Sequence, residues 1–399
     1  GQGDDVGNFY SGGGGTFRGG AGDDLSIWSD TSTDNQALMG EGTDRVEIRR
    51  FKGHADGGGG FDTIGFEVSF QSRIVADLSA GTVRSFKGVA TNNAEQVDMT
   101  LVGFEQLVAT TYNDVVEGSA KGERIVARAG NDNIDGGQGS DEIYGGAGDD
   151  ILSGGSDDDV LHGGGGSDRI DGGGGRDTAS YAWTQPAGVD GAMTATSFGG
   201  VTVDLAAGRA TGAFGTDTMT NIENIVGGGG ADTLTGDGRA NFLSGGAGGD
   251  KLMGGGGNDV IVTGAGRDEA LGGSGNDRIV VGRGKNKLVD GGEGTDILDF
   301  GLIGGIVTVD VAAGTYTARI EKEVPRWTNR EGKSDGFETR DIGGVRMRPE
   351  DVFEVDPLRA DDADDLIRIL PDEGDDDFAN AQIEVVTRRV DASGTFRDI

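Results

Sequence analysis

The chain has 399 residues, of which 81 are Gly and none is Cys, and its formal net charge is −35. The lack of Cys excludes a disulfide framework, a zinc ribbon and a cysteine nucleophile. The negative charge argues against a nucleic-acid partner, because such a partner needs a basic face. No apolar stretch approaches the roughly 20 residues of a membrane span. High charge and abundant Gly resemble a disordered chain, but this sequence is periodic.

The first elements in chain order are loose Gly-rich units. Each unit is nine residues long. Asp24 and Asp62 stand at the sixth position of two units, directly after the Gly-rich stretch. In the first unit, GGAGDDLSI, the aliphatic residues stand at positions seven and nine. We predict a block of looser repeats over residues 1–65. The units span residues 19–27, 39–47 and 57–65.

A strict nine-residue register follows over residues 100–180. Each unit carries a Gly-rich turn, an acidic residue at position six and an aliphatic residue at position eight, as in GGQGSDEIY (136–144). Nine units fit this frame without a slip, and the first three place Glu105, Asp114 and Glu123 at position six. So long a frame is difficult to obtain by chance in Gly-rich sequence.

The same register returns over residues 218–299. Position six is Asp in most of these units, while Asn241 and Asn286 keep an oxygen there but lose the charge. One extra residue, Asp290, breaks the frame before the last unit, GGEGTDILD (291–299).

A longer period divides the chain into tandem modules. The similar strand-like segments IVADLSAGT, VTVDLAAGR and VTVDVAAGT stand between the Gly-rich runs, and each precedes an acidic restart such as IENI. Asp62, Asp177 and Asp296 mark equivalent points of successive modules. The predicted domains are the looser repeats at 1–65, a spacer with a first repeat module at 66–180, a spacer with a second at 181–299, and a spacer with a degenerate capping module at 300–399.

The nine-residue unit predicts a turn followed by a short strand. Gly allows the positive φ and the close backbone approach of a tight turn. One aliphatic residue between two outward residues is the alternation of a half-buried strand. Two units close one coil, and successive coils stack about 4.8 Å apart. The predicted fold class is all-β: a parallel β-roll or β-helix solenoid of tandem modules with spacer insertions.

Stacked coils bring the position-six carboxylates together along two edges. Residues 18 apart, such as Asp141 and Asp159, share one edge, and Asp132 and Asp150 share the other. Unpaired carboxylates at this spacing repel one another, and a thin core offsets little of the entropy of ordering Gly. Ca²⁺ resolves both problems because it accepts six to eight hard oxygens at flexible geometry, whereas Mg²⁺ demands an octahedron.

We therefore predict bound Ca²⁺, on the order of 15–20 ions if stacked pairs share them. The predicted metal ligands are Asp24, Asp62, Asp114, Asp132, Asp141, Asp150, Asp159, Asp168, Asp177, Asp232, Asn241, Asp250, Asp259, Asp268, Asp277 and Asp296.

The repeated units resemble the repeats-in-toxin (RTX), or hemolysin-type, calcium-binding nonapeptide, which forms a parallel β-helix. The resemblance covers 100–180 and 218–299 closely and 19–65 loosely. It implies a bacterial protein that leaves the cell by type I secretion, unfolded at low calcium, and folds outside in millimolar calcium.

Other motifs indicate no catalytic site. GKS at 332–334 resembles the end of a phosphate loop, but Trp327 stands where that loop requires Gly. We expect His162 to face solvent on a strand and His54 to lie in a loop. We therefore expect no enzyme activity from this chain.

The C-terminal third differs from the repeats. Basic residues over 319–348 indicate either a solvated insertion or a docking surface for an acidic neighbour, such as another copy or an acidic polysaccharide. Residues 359–377 keep fragments of the unit and are interpreted as a degenerate cap. Residues 387–399 are a candidate secretion signal.

The expected function is calcium-dependent structural or adhesive work at the cell surface, as a segment of an S-layer, an adhesin or another surface assembly. The expected partners are Ca²⁺ and either further copies or a cell-surface polysaccharide, with no nucleic acid. The alternative is a secretion and folding module of a larger hydrolase, polysaccharide-modifying enzyme or toxin.

Overall fold

Every regular element in the described part of the chain is a β-strand. None of the described residues belongs to a helix that could span a membrane. The computed structural model describes residues 3–9, 15–29, 35–49, 53–67, 72–87, 97–182, 199–284 and 287–300, and beyond these only the backbone of the strands that follow residue 305.

The chain divides into two units, and the first comprises residues 1–198 and 208–224. The parallel sheets that form its coils are described below. Its strands are β1 (Val6–Phe9), β2 (Thr16–Ala21), β3 (Leu25–Trp28), β4 (Asn35–Gly42), β5 (Arg45–Ile48), β6 (Gly53–Gly60), β7 (Thr63–Phe66), β8 (Ser72–Asp77), β9 (Thr82–Lys87), β10 (Val97–Val102), β11 (Gln106–Val108), β12 (Val115–Glu117), β13 (Arg124–Val126), β14 (Asn133–Gln138), β15 (Glu142–Ala147), β16 (Ile151–Ser156), β17 (Val160–Gly165), β18 (Arg169–Gly174), β19 (Thr178–Ser180), β21 (Arg209–Gly212) and β22 (Gly215–Thr220).

The second unit comprises residues 199–207 and 225–399. The four-part division predicted from the sequence stays a prediction. The strands of this unit are β20 (Thr202–Asp204), β23 (Asn224–Val226, which starts at the last residue of the first unit), β24 (Thr233–Thr235), β25 (Phe242–Ser244), β26 (Ala247–Gly248), β27 (Lys251–Gly256), β28 (Val260–Val262), β29 (Ala265–Gly266), β30 (Glu269–Ser274), β31 (Arg278–Val280), β32 (Leu288–Glu293), β33 (Ile297–Asp299), β34 (Ile306–Asp310), β35 (Thr315–Glu321), β36 (Thr339–Met347), β37 (Leu366–Leu370), β38 (Gln382–Val386), β39 (Arg388–Val390) and β40 (Phe396–Asp398).

Both units are built from coils that alternate between two sheets. In the first unit, β11, β13, β15, β17 and β19 run parallel in one sheet, and β12, β14, β16, β18 and β22 run parallel in the other. In the second unit, β25, β28, β31 and β33 form one parallel sheet, and β24, β27, β30 and β32 form the other. The predicted parallel β-roll of stacked coils is confirmed.

The core of each unit is a single file of position-eight side chains from each sheet. Ile143 lies over Leu161 in one sheet of the first unit, and Leu152 lies over Ile170 in the other. All four side chains are buried. Each repeat adds one such side chain to the interior of the coil, and in the first unit the position-nine residues Val108, Val126 and Tyr144 form a further buried cluster.

Several strands are longer than the predicted three residues. The strand β16 continues from the aliphatic position into the Gly residues of the following turn, where Gly155 lies beside Gly137 and Gly173 of the neighbouring coils. These Gly residues have φ near +100°, and a Cβ on Gly155 would collide with the Gly137 carbonyl. Gly at this position therefore lets neighbouring turns stack in direct backbone contact.

The repeated spacer phrase forms a capped turn. In IVADLSAGT, Oδ1 of Asp77 accepts hydrogen bonds from the Ser79 hydroxyl at 2.6 Å and the Ala80 N–H at 2.7 Å, and Gly81 has a φ of 61°. The hydrogen bond from Ser79 is the main cause that lowers the pKa of Asp77. This Asp closes the hairpin between β8 and β9.

Two expectations about histidine are wrong. His162 is buried, not exposed, and its ring stacks on Tyr144 with centroids 4.2 Å apart. Burial is also the main cause that lowers the pKa of His162 to about 4. His54 lies in β6, not in a loop, and its Nδ1 is 2.8 Å from the Thr100 hydroxyl on β10.

The frame slip near residue 290 is also placed differently. Leu288 pairs with Glu269 and Val289 with Ala270, so Asp290 takes an ordinary position nine opposite Leu271. The extra residue therefore lies earlier, in the turn that precedes Leu288. Lys287, directly before Leu288, stands opposite Asp268.

Three sequence predictions fall outside the residues whose side chains are described. They concern the basic surface over 319–348, the cap over 359–377 and the candidate secretion signal over 387–399. In this region the backbone pairs β34 with β35, β35 with β36, β37 with β38, and β39 with β40, all antiparallel.

Candidate metal centre

One oxygen of each position-six carboxylate ties neighbouring coils together. Oδ1 of Asp150 accepts a hydrogen bond from the Asp132 N–H at 2.8 Å, and Oδ1 of Asp168 accepts one from the Asp150 N–H at 2.9 Å. On the other edge, Oδ1 of Asp159 accepts one from the Asp141 N–H at 2.8 Å. Residues 18 apart therefore stack on two separate edges, as their spacing predicts.

The other oxygen, Oδ2, is buried at most of these positions and accepts no hydrogen bond from the described residues. A buried carboxylate oxygen without a partner is costly, because it has lost its water and gained nothing in exchange. A row of them at equivalent positions is the arrangement expected of ligands for a cation, not of a packing defect. The residues concerned are Asp24, Asp44, Asp62, Asp132, Asp141, Asp150, Asp159, Asp168, Asp177, Asp250, Asp259, Asp277 and Asp296.

A cradle of oxygens surrounds the position-one Gly in most of these turns, whereas Ala127 and Met39 stand at position one before Asp132 and Asp44. A Cβ on Gly145 would lie 2.5 Å from Oδ2 of Asp150 and 2.8 Å from the carbonyl oxygen of Gly163, one coil further on. A Cβ on Gly245 would meet Oδ2 of Asp250 at 2.5 Å and the Thr263 carbonyl oxygen at 3.0 Å. The turn thus keeps a small space in which a carboxylate and a carbonyl converge.

The donor set of the cradle fits Ca²⁺. Calcium binds oxygen at about 2.3–2.6 Å and accepts carboxylates and backbone carbonyls together. Among the described residues no three acidic or histidine side chains converge on one point, so a bound ion would take part of its shell from the backbone. Zinc prefers nitrogen and sulfur ligands, which these turns do not offer.

The pKa values of these carboxylates show the cost of the metal-free arrangement. Burial is the main cause that raises the pKa of Asp132 to about 8, and the charges of Asp114 and Asp150 raise it further. Burial likewise raises the pKa values of Asp141, Asp150 and Asp168 to about 7. At neutral pH the array therefore resists carrying its full charge unless a cation is present.

Four predicted ligands have their side-chain oxygen engaged by the protein itself. Oδ2 of Asp114 accepts hydrogen bonds from the Thr110 N–H and hydroxyl, both at 2.8 Å. Oδ2 of Asp232 accepts one from the Gly228 N–H, and Oδ1 of Asn241 accepts one from the Asp237 N–H, each at 2.8 Å. Oδ2 of Asp268 forms an ion pair with Lys287. At these four positions the side-chain oxygen is therefore not left unpaired for a cation.

The turn before Asp132 contains a buried arginine that reaches the turn of Asp114 one coil earlier. Arg128 has a φ of 78°, in a position where most units carry Gly. Its Nη1 donates hydrogen bonds to the carbonyl oxygens of Phe66 and of Ala109, the latter at 2.8 Å. The guanidinium thus supplies a hydrogen-bond donor to both carbonyl oxygens.

Sequence reasoning missed several members of the array. Asp44 stands at position six of the unit 39–47, and its Oδ2 is unpaired like that of its neighbours. Asp217 lies in a spacer strand without a preceding Gly-rich turn, yet its Oδ1 accepts the Asp168 N–H at 3.0 Å. Glu223 accepts the Asp177 N–H in the same way. Only the strand pairing reveals Asp217, because no local motif marks it, whereas the sequence already placed Glu223 at position six of the unit 218–226 without counting it as a ligand.

The family comparison matches the two regions in which this geometry is most regular. The model of the RTX calcium-binding nonapeptide repeat (4 copies) matches residues 117–152, 144–179, 226–261, 253–288 and 271–302. No curated protein matches the chain. The N-terminal coils around Asp24, Asp44 and Asp62 lie outside the matched residues but share the same unpaired carboxylates. The chain therefore contains RTX nonapeptide repeats, of the kind that bind calcium, over residues 117–179 and 226–302.

Proposed function

We propose that this chain is an extracellular structural or adhesive segment that folds when it binds Ca²⁺ after secretion. The single observation that carries the proposal is the row of buried, unpartnered Oδ2 atoms on both edges of the coils. A protein whose fold contains so many uncompensated carboxylates is stable only where a cation supplies the opposite charge.

In this proposal calcium binding and folding are one reaction. Ca²⁺ supplies positive charge and a shell that accepts carboxylate and carbonyl oxygens. The protein's part is to place Oδ2 of Asp150 and the Gly163 carbonyl around one space, and the strand register fixes both. Because the unfolded chain has no such arrangement, the free energy of binding becomes free energy of folding.

The number of ions is proposed from the unpaired oxygens. Among the described residues, thirteen position-six carboxylates have an unpaired Oδ2, so we propose about one ion for each, slightly fewer than the 15–20 expected from the sequence. These ions would offset most of the formal charge of −35. Neutralisation of this kind allows close stacking of coils that would otherwise repel one another.

The structural or adhesive role is proposed from the chemistry of the chain as a whole. Its fold has a metal requirement that millimolar extracellular calcium meets and low cytosolic calcium does not, which agrees with type I secretion and a cell-surface location. Solenoids of repeats also present long, regular surfaces suited to assembly. We propose no catalytic role for the chain itself.

The test is self-assembly of the purified chain in calcium. Sedimentation velocity and negative-stain electron microscopy in about 10 mM Ca²⁺, well above the affinities of extracellular calcium modules, should show lattices, filaments or higher oligomers. An equal concentration of Mg²⁺ is the control. A chain that folds in calcium yet stays monomeric and binds no cell-surface polysaccharide would contradict the structural role and favour a folding module of a larger enzyme or toxin.

A further inference from the structure

One turn of the second unit contains a buried lysine where its neighbours carry aspartate. Leu288 pairs with Glu269, and its N–H donates to the Asp268 carbonyl at 2.8 Å, so Lys287 lies directly over Asp268 in the column that includes Asp250. Among the described residues of this edge, the column runs from Asp232 to Asp250, Asp268 and Lys287. The lysine therefore takes a position-six place.

The ammonium of Lys287 occupies the position that a cation would need. Its Nζ forms an ion pair with Oδ2 of Asp268 and donates a hydrogen bond to the Gly264 carbonyl oxygen at 3.0 Å. Both side chains of the ion pair have 0% exposure. A carboxylate and a carbonyl converge here on an ammonium. The same two kinds of ligand converge at the turns whose Asp has an unpaired Oδ2, which we call calcium-type turns.

The surrounding turn has also lost the cradle. Most calcium-type turns have Gly at position one, where a Cβ would collide with the ligand oxygens, as at Gly254 and Gly272. Here position one is Thr263, which is fully buried and whose hydroxyl accepts a hydrogen bond from the Gly282 N–H at 3.0 Å. Val281, at the start of the next turn on this edge, is also fully buried. The residues present do not fit a calcium ion.

We infer that Lys287 replaces a metal ion at Asp268, so that this turn is closed by a protein cation and does not bind calcium. The inference rests on the proposed calcium-dependent folding of the other turns. Removal of one partner from a buried ion pair is strongly destabilising, so Lys287 and Asp268 depend on each other. Together with Thr263 of the same turn they form one set. This set keeps one coil of the second unit ordered independently of the calcium concentration.

The first experiment counts calcium ions in two matched variants by native mass spectrometry. Asp259 lies in the adjacent turn of the same unit, has an unpaired Oδ2 and is buried like Asp268. We expect Asp259→Asn to lower the number of bound ions and Asp268→Asn to leave it unchanged. A loss of calcium from Asp268→Asn equal to that from Asp259→Asn would overturn the inference.

The second experiment does not depend on the ion count. In the folded protein at saturating calcium, Lys287 should be acylated far more slowly than the exposed Lys251, as measured by peptide mass spectrometry. Equal reactivity of the two lysines would overturn the inference even if Asp268→Asn failed to fold. If neither Asp259→Asn nor Asp268→Asn changes the number of bound ions, Asp259 is not a calcium ligand. The slow acylation of Lys287 then decides the inference alone.

A gain-of-site variant closes the series. Thr263→Gly with Lys287→Asp restores the Gly and the carboxylate of a calcium-type turn, and we expect one more bound Ca²⁺ than in the wild type. Lys251→Met is the control for the loss of a positive charge and should leave the count unchanged. A double variant that folds but binds no additional Ca²⁺ would contradict the claim that the Lys287 ammonium takes the place of a metal ion.

Discussion

Substitution of a single position-one Gly should remove one calcium site without touching a ligand side chain. In Gly145→Ala, the new Cβ would lie 2.5 Å from Oδ2 of Asp150 and 2.8 Å from the Gly163 carbonyl. Carbon atoms do not approach oxygen this closely, so the methyl group must either displace the two oxygens or occupy the space that lies between them. Both outcomes exclude the ion from this turn.

The magnitude follows from mass action. A ligand that binds only the folded state stabilises it by RT ln(1 + [L]/Kd), and extracellular calcium modules have Kd values of about 0.1–1 mM. At about 10 mM Ca²⁺, loss of one site therefore costs about 1.4–2.7 kcal/mol. Gly165→Ala is the matched control in the next turn along the same edge, since its Cβ meets no atom within 4 Å. At such a position Ala is neutral or stabilises by about 0.4–1 kcal/mol.

The assay is chemical unfolding of both variants at fixed calcium, with a calcium titration followed by circular dichroism. Gly145→Ala should shift the folding midpoint to higher calcium, whereas Gly165→Ala should not. Equal destabilisation by the two substitutions would refute the reasoning, because backbone entropy or turn strain, not loss of an ion, would then explain both.

Three further outcomes follow from the same geometry. Ile143→Ala should cost about 2–5 kcal/mol in calcium-saturated protein, because it leaves a cavity at a fully buried core position; a smaller effect would show that the coils do not depend on this layer. In chelator, the folded-state pKa values of about 8 for Asp132 and about 7 for Asp150 lie above the ordinary value of 3.8. The metal-free fold is therefore most stable below pH 3.8 and loses stability as the pH rises through 7 and 8. Circular dichroism should show more β-structure at pH 5 than at pH 8, and the reverse order would contradict this prediction. Arg128→Met should lower the free energy of unfolding by about 1–3 kcal/mol, because it leaves two buried carbonyl oxygens without donors. Arg169→Met, at an exposed position, is the control and should be neutral in the same unfolding assay.

The fold could be predicted from the sequence because the nine-residue period fixes three properties together. Position eight must be buried, position six must lie at a turn, and residues 18 apart must stack, so that Asp132, Asp150 and Asp168 could be placed in one column before any coordinates were known. The side chains confirm this column through the hydrogen bonds from N–H to Oδ1. Periodicity is a strong signal here because a shift of one residue would turn the aliphatic residue outward.

Other features could not be predicted because they depend on pairing across an insertion or on what covers a surface. Asp217 joins the array only because β22 pairs with β18 after a long spacer. Lys287 falls into register through one extra residue in its turn, which the pattern alone placed at Asp290. His162 stands at a formally outward position, yet that face of the strand is buried. Each depends on tertiary context that overrides the local repeat.

The most direct test of the central claim is a calcium titration of the metal-free chain followed by far-ultraviolet circular dichroism and native mass spectrometry. The account predicts a disordered spectrum at pH 7.5 in chelator and cooperative appearance of β-structure in millimolar Ca²⁺. The bound ions should number about 13, one for each unpaired Oδ2. Equimolar Mg²⁺ should not reproduce the transition. Full β-structure in chelator at pH 7.5, with no change on adding calcium, would contradict the claim that these carboxylates require a metal ion.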